Sequence, residues 1–219
     1  VFCYQPDGNI VTHERVHTNF SKIELGMKAD LYVTQAADYS VRIEASENLM
    51  EIIETKVSGS TLEIDLKKRK CIRGDSNVKI YVSLPNIKDV DISGSGNIYM
   101  PNEINTDKLE IGISGSGNVF IDSLRADHFE TSISGSGDLN LYGLDTAFTQ
   151  KVRISGSGEI NAFNMPVMNS DISVSGSGQC QVNVVENLDV NVSGSGDVIY
   201  RGNPIVSQKI SGSGSVKPD

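Results

Sequence analysis

The sequence has no tryptophan, only three histidines, only three cysteines and few aromatics, and each shortage excludes something. His13, His17 and His128 are too scattered to suggest a catalytic triad. Cys3, Cys71 and Cys180 show no C-x-x-C spacing and no nearby histidine pair, which argues against a zinc site. An odd cysteine count leaves at least one free thiol in a monomer. Whether Cys3 and Cys71 pair is open on spacing alone, so the thiols do not fix the compartment. Basic runs are also missing. With 19 Lys and Arg against 28 Asp and Glu, the net charge is −9, which speaks against nucleic acid or an anionic membrane as partner. No apolar stretch approaches the 18 or so residues of a transmembrane helix. The sequence opens at Val1 with neither a Met nor a visible signal peptide, which reads as the trimmed form of an exported protein.

What the chain does have is glycine, 21 residues, much of it in one phrase. Ser-Gly-Ser-Gly begins at Ser93, Ser114, Ser134, Ser155, Ser175, Ser193 and Ser211, at spacings of 21, 20, 21, 20, 18 and 18. In isolation the phrase is a flexible linker. A fixed period near 20 instead marks stacked structural units. Ile92, Ile113, Ile133, Ile154, Val174, Val192 and Ile210 precede the motifs. Ile98, Val119, Leu139, Ile160, Cys180, Val198 and Val216 follow each motif after one polar residue. Alternation with period two on both sides predicts a strand on each flank. The parity runs through the motif, so Gly94 and Gly96 point inward with Ile92 and Ile98, while Ser93 and Ser95 point outward. The glycines are therefore expected at a corner where the interior narrows.

A coil of about 20 residues buries too little apolar surface to offset its own ordering entropy, so neighbouring coils must complete it. The expectation is an all-β fold, a right-handed parallel β-helix of about seven coils. Residues 1–85 read as a strand-rich N-terminal capping region and 86–219 as the repeat array, together one continuous unit. Within the first part, "SENLMEII" suggests a short helix with Ser46 as N-cap, and "VSGSTLEI" a hairpin turn. At the far end Lys217 and Pro218 blunt the edge without covering it, which leaves end-to-end homo-oligomers open.

Outward positions carry whatever chemistry there is. Four residues before each motif stand Asp89, Glu110, Glu130, Lys151, Asp171, Asp189 and Ser207. This acidic ladder is either a solvated face or, if its carboxylates converge, the start of a cation or carbohydrate-cleaving site. Directly after each motif stand Asn97, Asn118, Asp138, Glu159, Gln179, Asp197 and Ser215, which are expected to hydrogen-bond along the stack. Tyr99, Phe120, Asn140, Asn161, Gln181 and Ile199 form a third outward row. Tyr99, Phe120, Asn140 and Asn161 are the candidate ligand contacts, for a sugar or a protein, unless the N-terminal part lies over the two rings. Arg73-Gly74-Asp75 is either an integrin-type recognition tripeptide or a chance match in a Gly- and Asp-rich chain. No catalytic residue, cofactor site or metal site emerges.

The spaced "ISGSG[ND]" units, the leading "GNIVTHERVHTNFSKIELGMKADLYVTQ" and the join "VKIYVSLPNIKDVDISGSGN" together resemble the putative auto-transporter adhesin head GIN domain family. The resemblance covers nearly the whole chain. It implies a β-helix and export from a Gram-negative cell, to the periplasm, the outer membrane surface or beyond. It brings no established binding residues, and the fold alone licenses no activity. The resulting expectation is an exported, non-catalytic surface or periplasmic binding module of adhesin type. A pectinase-like carbohydrate-active enzyme and a structural spacer without ligand are the alternatives.

Overall fold

A computed structural model describes residues 2–219. Its strands wind into a β-solenoid of about six turns, close to the seven coils expected. Each winding has three faces. The first face is the strand before the corner, where Val90, Ile111, Thr131, Val152, Ile172, Val190 and Gln208 lie in parallel register. The second is the strand after it, where Ile98, Val119, Leu139, Ile160, Cys180, Val198 and Val216 do the same. The third is the return, paired for instance at Ile104 with Leu124 and at Ala147 with Val167. Alternate residues from all three faces fill one continuous core. Its middle is polar on one side: Thr131, Gln150 and Ser170 are buried, and Ser170 Oγ donates to Gln150 Oε1 at 3.2 Å.

The parity assigned to the corner is observed: Ile92, Gly96 and Ile98 are buried, whereas Ser93 and Ser95 are exposed. The reason for glycine is different from a narrowing interior. A Cβ on Gly115, Gly135 or Gly156 would overlap the carbonyl oxygen of the first motif glycine one turn earlier. That carbonyl is also the acceptor for the next turn. Ser136 N–H donates to Gly115 O at 3.1 Å, Ser157 N–H to Gly135 O at 3.0 Å, and Ser195 N–H to Gly176 O at 2.8 Å. The steric limit therefore acts along the stack axis, through backbone. The second glycine has an inward constraint as well, since a Cβ on Gly117 would lie 2.7 Å from Ile92 Cγ2.

At the N-terminal end, spatial order departs from chain order. Lys22–Leu25 pairs in parallel with Asp89–Ile92, and Asp30–Gln35 pairs with Asn97–Met100. Residues 22–35 thus form a winding in which Gly26-Met27-Lys28-Ala29 occupies the Ser-Gly-Ser-Gly corner. Beyond it lie Thr61–Leu66 and Lys79–Leu84, again parallel to Lys22–Leu25 and Asp30–Gln35. The stack then turns antiparallel: Ile53–Ser58 pairs with Thr61–Leu66, Ser40–Ser46 with Lys79–Leu84, and Ile10–Arg15 with Ser40–Ser46. Antiparallel strands stop the parallel register from continuing, which closes that edge.

The hairpin expected at "VSGSTLEI" is present, with Gly59 at φ +59. The helix is a single turn, Glu47–Met50, whose Leu49 and Met50 are buried. Ser46 does not cap it through its side chain, because Ser46 is the buried last residue of a strand paired to Ile10. Asn9 serves the helix start instead: its carbonyl accepts from Glu47 N–H at 2.8 Å and its Nδ2 donates to Glu47 Oε2 at 2.8 Å. At the opposite end of the described residues, Ile210 is 40% exposed where Val192, one turn earlier, is fully buried.

Gly135→Val is expected to lower the melting temperature by about 6 °C or more, corresponding to roughly 2–3 kcal/mol for a chain of this size. Thermal unfolding followed by circular dichroism measures it. A melting curve unmoved within about 1 °C would show that the corner tolerates a Cβ and that the axial contact does not limit it.

Candidate functional site

The second face carries the most distinctive outer surface. Its register places Tyr81, Tyr32, Tyr99 and Phe120 on successive rungs, followed by Asn140, Asn161, Gln181, Ile199 and Lys217. All four candidate contacts, Tyr99, Phe120, Asn140 and Asn161, therefore lie in one row, and each is half-buried. The rings stack: Tyr81 to Tyr32 at 5.2 Å, Tyr32 to Tyr99 at 5.1 Å and Tyr99 to Phe120 at 5.1 Å, with interplanar angles of 15°, 19° and 7°.

The N-terminal strands thus lengthen the aromatic row within the same sheet; they do not lie over it. Tyr32 and Tyr81 did not emerge from the sequence, although a signal was there. Asp30-Leu31-Tyr32, Lys79-Ile80-Tyr81, Asn97-Ile98-Tyr99 and Asn118-Val119-Phe120 share a polar–aliphatic–aromatic triplet. Near-parallel stacking turns each ring face toward its neighbours, so the row offers solvent mainly ring edges. Arg42 covers the far face of Tyr81, its guanidinium carbon 4.1 Å from the ring centroid. Burial pushes the Tyr99 phenol above its ordinary value, helped by Asp30 and Tyr32 and opposed by Asn97.

Beside the rings, the residues after each motif bond rung to rung as expected. Asn97 Nδ2 donates to Asp30 at 3.0 Å and Asn118 Nδ2 to Asn97 Oδ1 at 3.1 Å. The backbone N–H of Asp138 donates to Asn118 Oδ1 at 3.1 Å, and that of Glu159 to Asp138 Oδ1 at 2.9 Å. These bonds run along the stack and fix the row on which the rings stand.

The first face bears the acidic ladder in register, Asp89, Glu110, Glu130, Lys151, Asp171, Asp189 and Ser207. Asp89, Asp91, Glu110 and Glu130 share one shallow cleft. Three of the four have cation partners: Lys22 with Asp89 at 2.9 Å, Lys108 with Glu110, and Arg153 with Glu130. The Lys108 hydrogen bond holds Glu110 below its ordinary range, and Asp89 raises Lys22. All four carboxylates project from one sheet face, and the ion pairs to Lys22, Lys108 and Arg153 already engage three of them. Among the described residues no group of three or more His, Cys, Asp and Glu is arranged to hold a metal ion.

Asp91 is the fourth carboxylate. It leans over Gly112, which has no side chain to displace it. Burial of its carboxyl, then the charges of Asp89 and Glu24, push it up from 3.8 to about 6, although the residue as a whole keeps solvent access. Cys180 is buried, and burial pushes its thiol up to about 12, which makes it unreactive. The pairing left open by the sequence exists: Cys3 and Cys71 form a disulfide between two paired strands, with Cα atoms 4.4 Å apart. Arg73, Gly74 and Asp75 follow it after Ile72, all three exposed.

The chain belongs to the family described as "Putative auto-transporter adhesin, head GIN domain", which matches residues 19–204. A crystal structure of a putative adhesin from Bacteroides fragilis NCTC 9343 is 29% identical, covers 99% of this chain and 100% of its own, and superposes with a TM-score of 0.93. A putative lipid binding protein from Parabacteroides distasonis ATCC 8503 is 26% identical with a TM-score of 0.83, covering 99% of each chain. A putative adhesin from Parabacteroides merdae ATCC 43184 is 25% identical with a TM-score of 0.78, again over 99% of each chain. No functionally curated protein matches the sequence.

The raised Asp91 value has a stability consequence. Between its ordinary and raised values the folded state holds a proton that the unfolded state has released, so the contribution of Asp91 to stability grows as pH falls from above 6 toward 4. Asp91→Asn is expected to raise the melting temperature at pH 7 by about 1–3 °C, the effect being small because water reaches the group. The variant should also lose the wild-type gain between pH 7 and pH 5, as melting curves at the two pH values will report. An unchanged pH dependence would mean that Asp91 titrates at its ordinary value.

Proposed function

We propose that this member of the family is an exported, non-catalytic binding module that engages a glycan or protein at the cell surface along its second face. The observation that carries the reading is the half-buried row in which four stacked rings pass without a break into Asn140, Asn161 and Gln181. Aromatic edges followed by side-chain amides give an elongated ligand apolar contact at one end and hydrogen-bond donors and acceptors at the other. The row is built on strands, so its geometry is set by backbone pairing and needs no ordering when a ligand arrives. The Cys3–Cys71 disulfide supports export, because such bonds persist in oxidising compartments.

The test is a glycan array probed with the purified protein and with a Tyr99→Ala/Phe120→Ala variant. Binding should fall by about tenfold or more, the loss expected when central aromatic contacts are removed. An Asn140→Ala/Asn161→Ala variant, which leaves the ring stack in place, should weaken the same glycans. Unchanged binding by both variants, each verified as folded by circular dichroism, would remove the second face as the site. A wild-type protein that binds neither glycans nor envelope proteins would favour the spacer.

A further inference from the structure

We infer that Arg73-Gly74-Asp75 is a presented recognition loop, whose partner is an integrin-type receptor that captures the Asp75 carboxylate with a bound divalent cation and the Arg73 guanidinium with an acidic pocket. The tripeptide alone is a common chance match; its setting separates it from one. In the outermost parallel winding, Ile64 stacks on Leu25 and Lys79 on Asp30. Residues 65–78 therefore stand where the next winding turns its corner with residues 26–29 alone. A corner needs four residues in this fold, and this one is enlarged to fourteen. Insertions at one level of a solenoid form loops that stand off the stack, and such loops are where solenoids place binding residues.

The enlarged corner is also held from outside the stack. Phe2–Tyr4 pairs with Lys70–Ile72 in a separate two-stranded sheet, and the Cys3–Cys71 disulfide crosslinks it. Lys70 Nζ donates to Tyr4 Oη at 3.1 Å and lies 5.4 Å from the Phe2 ring centroid. The last bond of this clamp is Arg73 N–H to Tyr4 O at 2.8 Å. After it the chain leaves the clamp, exposes three residues, and re-enters at buried Ser76. Gly74 sits at φ +80 and a Cβ there would touch nothing, as at the tip of a free turn. Arg73 has no side-chain hydrogen bond or ion pair among the described residues. Among the described residues the Asp75 carboxylate pairs only with Lys28, at 3.3 Å, with the two side chains 82% and 65% exposed. A pair that exposed contributes little and yields readily to a divalent cation. Both charged ends are thus available, on opposite sides of a glycine, behind a covalently fixed base.

The inference uses the surface location of the preceding reading but none of its second-face contacts, so the two fail separately. The experiment places the immobilised, disulfide-intact protein against a soluble RGD-recognising integrin ectodomain in Mn²⁺. Saturable binding is expected, lost in EDTA and competed by a soluble Arg-Gly-Asp peptide but not by Arg-Gly-Glu. Asp75→Glu, which keeps the charge and moves it by one methylene, should weaken binding by about tenfold or more at an unchanged melting temperature. Arg73→Ala should do the same, and Tyr99→Ala/Phe120→Ala should bind as wild type does. A Cys3→Ser/Cys71→Ser variant with an intact β-sheet spectrum should bind more weakly. Absence of cation-dependent binding by the wild type, or equal binding by Asp75→Glu, would overturn the inference.

Discussion

The solenoid depends on one backbone carbonyl per turn, that of the first glycine in each corner. It accepts the seryl N–H of the next turn, and it leaves no room above itself for a Cβ. The two effects enforce each other. The hydrogen bond brings successive corners to strand spacing, and strand spacing is what makes any side chain there a collision. A flexible-looking phrase is thereby converted into the most sterically demanding part of the fold. Both flanking strands are held in register by it, and the outer rows follow from the register.

Because register is fixed turn by turn, each outward position becomes a row with a character of its own. Rings stack on rings, amides bond amides, and carboxylates are placed beside carboxylates. The first two arrangements are favourable in themselves. The third is repulsive, and the chain answers it with Lys22, Lys108 and Arg153 beside Asp89, Glu110 and Glu130. Asp91 forms no ion pair among the described residues, and burial together with the charges of Asp89 and Glu24 raises it. The surface is best understood as a set of parallel stripes, of which the aromatic–amide stripe carries neither ion pairs nor like charges.

Much of this was legible in the sequence because it is periodic. The parity of Ile92, Gly94, Gly96 and Ile98 could be read along the chain, and so could the Asn97–Asn118–Asp138 row and the Tyr99–Phe120 adjacency. What escaped is non-local. Nothing in the chain order says that Lys22–Leu25 lies against Asp89–Ile92, or that Thr61–Leu66 lies beyond it. Tyr32 and Tyr81 join the ring stack through that pairing, of which the shared polar–aliphatic–aromatic triplet is the one local trace. Ser46 has the residue type of a helix cap, but tertiary pairing with Ile10 claims it for a strand. Buried Gln150 and Ser170 sit in an inward row otherwise occupied by Leu109, Phe129 and Leu188. The bond from Ser170 Oγ to Gln150 Oε1 links the two across adjacent turns.

The interleaved N-terminal end also decides how the molecule carries load. Cys3 and Cys71 are 68 residues apart in sequence and directly joined. A pull between Phe2 and the C-terminal end therefore runs across the sulfur bridge and bypasses residues 4–70, which remain slack inside a covalent ring. Tension reaches only the chain from Cys71 onward. Load entering at the N-terminal strand is thus shunted past the windings that residues 4–70 build.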